Sequence, residues 1–178
     1  MLKIVLVPNK VLTTPVKPVT KFDAALKKLI LQMEETLIAQ VDPEGVGLAA
    51  PQVGVDLSLF IMRQSTNSDT EVFINPKILE IEKDTAPSPK KKNKNVQLEG
   101  CLSIPRIWSP IERPQKIHVE YQTIDGEKKD VWLKGLKAVI VQHEIDHLNG
   151  ILFTQRAVEQ SMPLYEEKDD DLKKIDFT

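Results

Sequence analysis

The stretch Val139-Ile140-Val141-Gln142-His143-Glu144-Ile145-Asp146-His147-Leu148-Asn149-Gly150 constrains this chain more than any other. It sets His-Glu-x-x-His inside an apolar run. Residues four apart on an α-helix lie one turn above each other, so His143 and His147 can hold one metal ion between their rings. Glu144 stands next to the first of them, where it can reach a water bound to that ion. Leu136, Ile140, His143 and His147 succeed one another at helical spacing, and Val139 and Leu148 widen the same stripe. Asn149-Gly150 supplies a stop, because glycine tolerates the left-handed conformation that ends helices. Imidazoles on the apolar side of a helix are interior groups and need partners, and a metal is a common one.

The rest of the chain has to supply a third ligand, and 178 residues are enough for one domain with a sizeable core. A net charge of −2 makes no electrostatic case for DNA or general nucleic-acid binding. One cysteine rules out an internal disulfide and suits a reducing, cytoplasmic setting. The apolar run Ile4 to Val7 is too short for a signal peptide, and no stretch is long enough to span a membrane.

Along the chain, Thr20 is the expected N-cap of a first helix whose apolar stripe is Phe22, Leu26, Leu29, Ile30, Met33 and Leu37. Leu57 to Met62 reads as a strand buried on much of both faces. Glu71 to Ile74 and Ile78 to Ile81 read as two strands separated by Asn75-Pro76. The segment 84–95, with its prolines and lysines, reads as an exposed loop insertion. Lys116 to Ile124 alternates, with His118 on the polar face as a solvated residue, and Asp125-Gly126 turns it into a strand from Lys128 to Leu133. Residues 156–178 read as a polar tail. The predicted class is α+β: mainly antiparallel strands packed around a central helix that carries the His-Glu-x-x-His motif.

Cys101, in Glu99-Gly100-Cys101-Leu102-Ser103, is the favoured third ligand. A thiolate is a soft donor for Zn(II) or Fe(II), and a Cys/His/His set leaves one coordination position open, as catalytic sites do. The competing positions are Phe153, where a longer zinc-protease pattern would need histidine, and Glu159, Glu166 or Glu167 in the polar segment. Gln52 ends a Gly- and Ala-rich segment. Its amide could donate to an oxyanion, although taken alone it reads as a turn residue facing water. An endopeptidase built on the same helix and a metal-stabilised binding module are the rival readings.

Three ordered segments together resemble the peptide deformylase family: Gly45, Gly47, Ala49, Ala50 and Gln52; Glu99 to Ser103; and Gln142 to Leu148. The resemblance implies a hydrolase that removes the N-formyl group from the initiator methionine of new polypeptides and releases formate. It implies metal ligands Cys101, His143 and His147, with Fe(II) the metal in the cell and Ni, Co or Zn accepted in preparations. A water activated by that metal would attack the formyl carbon, with Glu144 as general acid/base and the Gln52 amide and the Leu102 backbone N–H on the oxyanion. The backbone at Val46 and Gly47 would pair with the substrate, and Glu99, Val46, Val139 and Ile140 would border the methionine pocket. Expected partners are formyl-methionyl nascent chains and, transiently, the ribosome. The protein is expected to be a monomer with no membrane contact. Three segments depart from the family pattern: 84–95, Pro105 to Pro110, and the short acidic C-terminal region.

Overall fold

Asp23, not Thr20, begins the first helix. Its carboxylate accepts the backbone N–H groups of Ala25 and Leu26, each at 3.0 Å, satisfying two donors that the first turn would leave unpaired. Helix α1 then runs Ala24–Ile38 and buries Leu26, Ile30, Met33 and Leu37. Asp23→Ala is expected to lower stability by about 1 kcal/mol with activity unchanged, read as a shifted urea midpoint at constant slope.

The structure, a computed structural model, describes residues 1–65, 68–82, 98–169 and 171–175. The segment read as an exposed loop, 84–95, lies outside the described residues. Strands β1 (Gly47–Ala49), β2 (Leu59–Met62), β3 (Glu71–Ile81), β6 (Lys116–Gln122) and β7 (Lys128–Lys134) form one antiparallel sheet in the order β1-β2-β3-β6-β7. Strands β4 (Glu99–Cys101), β5 (Ile104–Ser109), β8 (Tyr165–Lys168) and β9 (Asp171–Lys174) form a second, in the order β4-β5-β8-β9.

Helix α2, Leu136–Leu148, carries the histidine motif. Strand β2 shows how the layers stack. Leu59 and Ile61 pack with α1, Phe60 and Met62 pack with α2, and all four are fully buried. The alternation therefore fills two cores from one strand. On the α2 side, Phe60 and Phe73 stack at 4.8 Å. The second sheet and α3, Phe153–Glu159, enclose a smaller core of Cys101, Ile104, Phe153, Ala157 and Leu164.

Three expectations need correction. Helix α2 is not a single apolar stripe: Val141, Gln142, His143 and Glu144 are consecutive and all buried, while Leu136 is 43% exposed. The helix lies between the first sheet and the second core, so it meets protein on nearly every side. Next, Asn75-Pro76 does not divide β3. It is a bulge within that strand, and Asn75, at φ 49°, exchanges hydrogen bonds with the Val19 backbone and donates to Gln122. Finally, the segment 156–178, read as a polar tail, holds the end of α3 and the β8–β9 hairpin, whose first strand pairs with β5.

The expected stop of α2 is found where Gly150 adopts φ +70° against the backbone of Thr13 and Thr14. His118 stacks on Trp132 at 4.9 Å and sits 3.0 Å from Asp130.

Candidate metal centre

Cys101 ends β4, at the register shift in the β4–β5 pair, and lies against α2. There its Sγ lies 3.2 Å from His147 Nε2, and donor atoms of Cys101, His143 and His147 all fall within 4.8 Å of one another. All three residues are buried. The rings of His143 and His147 meet edge to face, 4.9 Å apart, as the four-residue spacing requires.

A tetrahedral site with one sulfur and two nitrogens separates its donors by about 3.5 Å, so the set fits a divalent cation of the Zn(II) or Fe(II) kind. The ring orientation fits as well. His143 Nδ1 donates to Glu99 Oε1 at 2.7 Å, which leaves Nε2 for the centre.

The field around the thiol favours the ligand form. Burial pushes the Cys101 thiol up, but His147 and His143 beside it outweigh burial and bring it down to about 5. Burial pushes His143 down, yet Glu99 and the Cys101 sulfur hold it well above its ordinary value. Burial alone would raise Glu99; the Arg113 guanidinium and His143 instead hold it down at about 2.

Glu144 shows the opposite balance. It is 3% exposed, and burial raises its carboxyl to about 7 against the pull of the two histidines. Among the described residues its Oε2 has no hydrogen-bond partner, and neither has His147 Nδ1. The carboxylate lies against Gly47 so closely that a Cβ there would collide with it. Close approach of β1 to α2 is therefore what glycine at 47 permits.

Gln52 is not a turn residue facing water. It is 1% exposed, its Oε1 accepts Ala49 N–H at 2.8 Å, and its Nε2 points at Cys101 Sγ and Ser103 Oγ, each at 3.4 Å. The acceptor end is occupied, so the donor end faces the centre. Leu102 follows Cys101 and is half-buried; Val46 and Ile140 belong to the core around α2, and half-buried Val139 lies one helical turn before His143.

Glu99 is tied into a buried network. Arg113 donates two hydrogen bonds to it, at 2.7 and 2.8 Å, and a third to Asp146 at 2.9 Å. Arg156 holds the same Asp146 from the other side, at 2.7 and 3.1 Å. The sequence reading missed Arg113 and Arg156. Asp146 carried a signal: it lies between two interior histidines on the helix, where a lone carboxylate needs a cationic partner.

The competing third ligands are placed elsewhere. Phe153 fills the second core, Glu159 pairs with Arg156, Glu166 with Lys168, and Glu167 accepts from Trp108.

Fold and site together define a hydrolase-type centre whose Cys/His/His set could hold a metal. Residues 1–162 match the family model described as Polypeptide deformylase. A peptide deformylase of Thermotoga maritima is 45% identical over 148 residues, covering 83% of this chain and 82% of its own. One of Desulfotalea psychrophila is 38% identical over 172 residues, 94% of each chain. The crystal structure of the Thermotoga maritima enzyme superposes with a TM-score of 0.76 at 44% identity over 88% of this chain and 97% of that one. That of a plant peptide deformylase gives 0.78 at 34% identity, covering 89% and 82%. The chain belongs to the peptide deformylase family, whose activity is the deformylation of formylated nascent polypeptides. Among the described residues, no helix is long and apolar enough to cross a membrane.

Proposed function

We propose that Cys101, His143 and His147 hold one divalent cation, Fe(II) in the cell and Zn, Ni or Co in some preparations, and that the centre removes the formyl group from N-terminal methionine. The observation that carries this is the three-donor cluster beside Glu144, a buried carboxylate with one oxygen that has no hydrogen-bond partner among the described residues. A cation there supplies Lewis acidity, which makes water nucleophilic near neutral pH and polarises the formyl carbonyl.

Glu144 takes a proton from the attacking water and passes it to the departing nitrogen. The C–N bond breaks, formate leaves, and the peptide keeps a free amino terminus. Gln52, its oxygen occupied by Ala49, donates through Nε2 to the developing oxyanion, and the Leu102 N–H is the second donor.

Substrate placement follows from the sheet edges. Strand β1 ends the first sheet and β4 ends the second, and both reach the centre, through Gly47 and Cys101. A peptide lying between them gains backbone partners from the stretch at Val46 and Gly47. Val46, Val139 and Ile140 border the methionine pocket. Glu99 stands at that border and also orients His143. The setting is the cytoplasm, and the chain acts as a monomer in transient contact with ribosomes that deliver its substrates.

The test is turnover. Protein loaded with Fe(II) or Ni(II) is expected to release formate from formyl-Met-Ala and to leave casein uncut. Casein cleavage without formate release would select an endopeptidase. Neither activity, with the metal bound, would leave a non-catalytic binding module.

A further inference from the structure

One guanidinium is enough to neutralise a buried carboxylate, yet Asp146 has two. Arg156, one third exposed on α3, grips it with two prongs: Nη2 donates to Oδ1 at 2.7 Å and Nε to Oδ2 at 3.1 Å. Arg113 Nη1 donates to the same Oδ2 at 2.9 Å. Helix α3 does not need this contact to stay in place. Phe153 and Ala157 already bury it in the core that it shares with Cys101.

Where Arg113 goes next accounts for the second guanidinium. Its Nε and Nη2 donate to the two oxygens of Glu99, and Glu99 Oε1 accepts from His143 Nδ1 at 2.7 Å. Contacts therefore run without a gap from Arg156 through Asp146, Arg113 and Glu99 to the ring of His143, and none is longer than 3.1 Å. Two of the links, Arg156 to Asp146 and Arg113 to Glu99, are two-pronged, and such pairs resist rotation.

We infer that Arg156 is a positioning residue for the metal centre: it fixes the carboxylate of Asp146 and thereby, through Arg113 and Glu99, the orientation in which His143 offers Nε2. The inference rests on the reading of Cys101, His143 and His147 as metal ligands. Without Arg156, Asp146 keeps one of its three hydrogen bonds and is free to turn. The Arg113–Glu99 pair then loses its fixed anchor on α2, and the His143 ring turns with it. Glu99 still has its guanidinium, so the effect is smaller than that of removing Arg113.

The experiment measures three things on each variant: Ni(II) affinity in competition with a chelator, the visible spectrum of the Co(II)-loaded protein, and the urea midpoint of the metal-free protein. Arg156→Met is expected to weaken Ni(II) binding by about tenfold, the lower end of the loss seen when a group behind a ligand is removed, and to shift the Co(II) bands. Arg156→Lys keeps the charge without the two prongs and should recover part of the affinity. Gln155→Gly, at an exposed position of the same helix, loosens α3 without touching Asp146. It should lower the urea midpoint and leave affinity and spectrum as they are. Arg156→Met added to Arg113→Met should weaken binding no further than Arg113→Met alone, because both cut one chain of contacts. Unchanged Ni(II) affinity and Co(II) spectrum in Arg156→Met, or equal losses in Arg156→Met and Gln155→Gly, make Arg156 a staple of α3 and overturn the inference while the metal site stands. An unaltered protein that binds no Ni(II) or Co(II) overturns the metal reading, and the inference with it.

Discussion

Replacing Glu144 by glutamine is expected to lower kcat for formyl-Met-Ala by about 10²–10⁴-fold while the protein still binds one equivalent of Ni(II) or Fe(II). Glutamine keeps the size and shape of the side chain, so β1 still packs at Gly47, where the carboxylate makes its close approach. What is lost is an acceptor for the water's proton. The donor cluster of Cys101, His143 and His147 is untouched, so metal content should not fall. Stability should hold or rise slightly, because Glu144 is buried with an oxygen that has no hydrogen-bond partner among the described residues, and a neutral amide is cheaper to bury than a carboxylate. Formate release, metal analysis and urea unfolding on one preparation separate these effects. A variant that keeps full turnover removes Glu144 as the proton carrier. One that loses metal and turnover together shows Glu144 supporting the ligands instead.

The features of this site that could be read from sequence are those where chemistry demands a local spacing. His143 and His147 had to be four residues apart to bring their rings together on one helix, and Glu144 is next to the first. Cys101 was legible as the lone thiol in a chain with a spaced histidine pair. Strand β2 was legible because Leu59 to Met62 had no polar face to expose.

What failed to read depended on partners distant in sequence. Pro76 marks a break by every local rule, yet β3 passes through it because Asn75 is tied to Val19 and Gln122, 56 and 47 residues away. Glu166 to Asp171 is polar enough for a solvated tail. Its described residues Glu166 to Lys168 and Asp171 pair as strands because β5 offers an edge and Trp108 offers Glu167 a donor. Gln52 looked like a turn residue because nothing nearby in sequence says that its Nε2 will point at Cys101 and Ser103, 49 and 51 residues away. In each case a tertiary partner overrides the local composition, which is the ordinary limit of pattern reading.

Arg113 carries the largest stability effect that the structure predicts. It is 6% exposed and its guanidinium spans two buried carboxylates, Glu99 and Asp146. Those contacts hold its pKa above the ordinary value against the contrary pull of burial. Arg113→Met removes the cation and leaves Glu99 facing only His143, while Asp146 keeps Arg156. Breaking a buried pair from one side typically costs 3–5 kcal/mol, about a third of a typical folding free energy. The loss should appear as a lower urea midpoint in the metal-free protein, where ligand binding cannot mask it.

A second effect follows through geometry. Glu99 positions the His143 ring, and Arg113 positions Glu99, so metal affinity should fall by about 10–100-fold in competition with a chelator. Arg113→Lys restores the charge but not the two-pronged contact, and should recover some of the stability and less of the affinity. Adding Glu99→Gln to Arg113→Met should cost less than the sum of the two single changes, because the carboxylate left without its guanidinium is then neutral. Additive losses in that double variant, or an Arg113→Met protein as stable as the parent, would show that this network neither holds the fold nor aims the ligand.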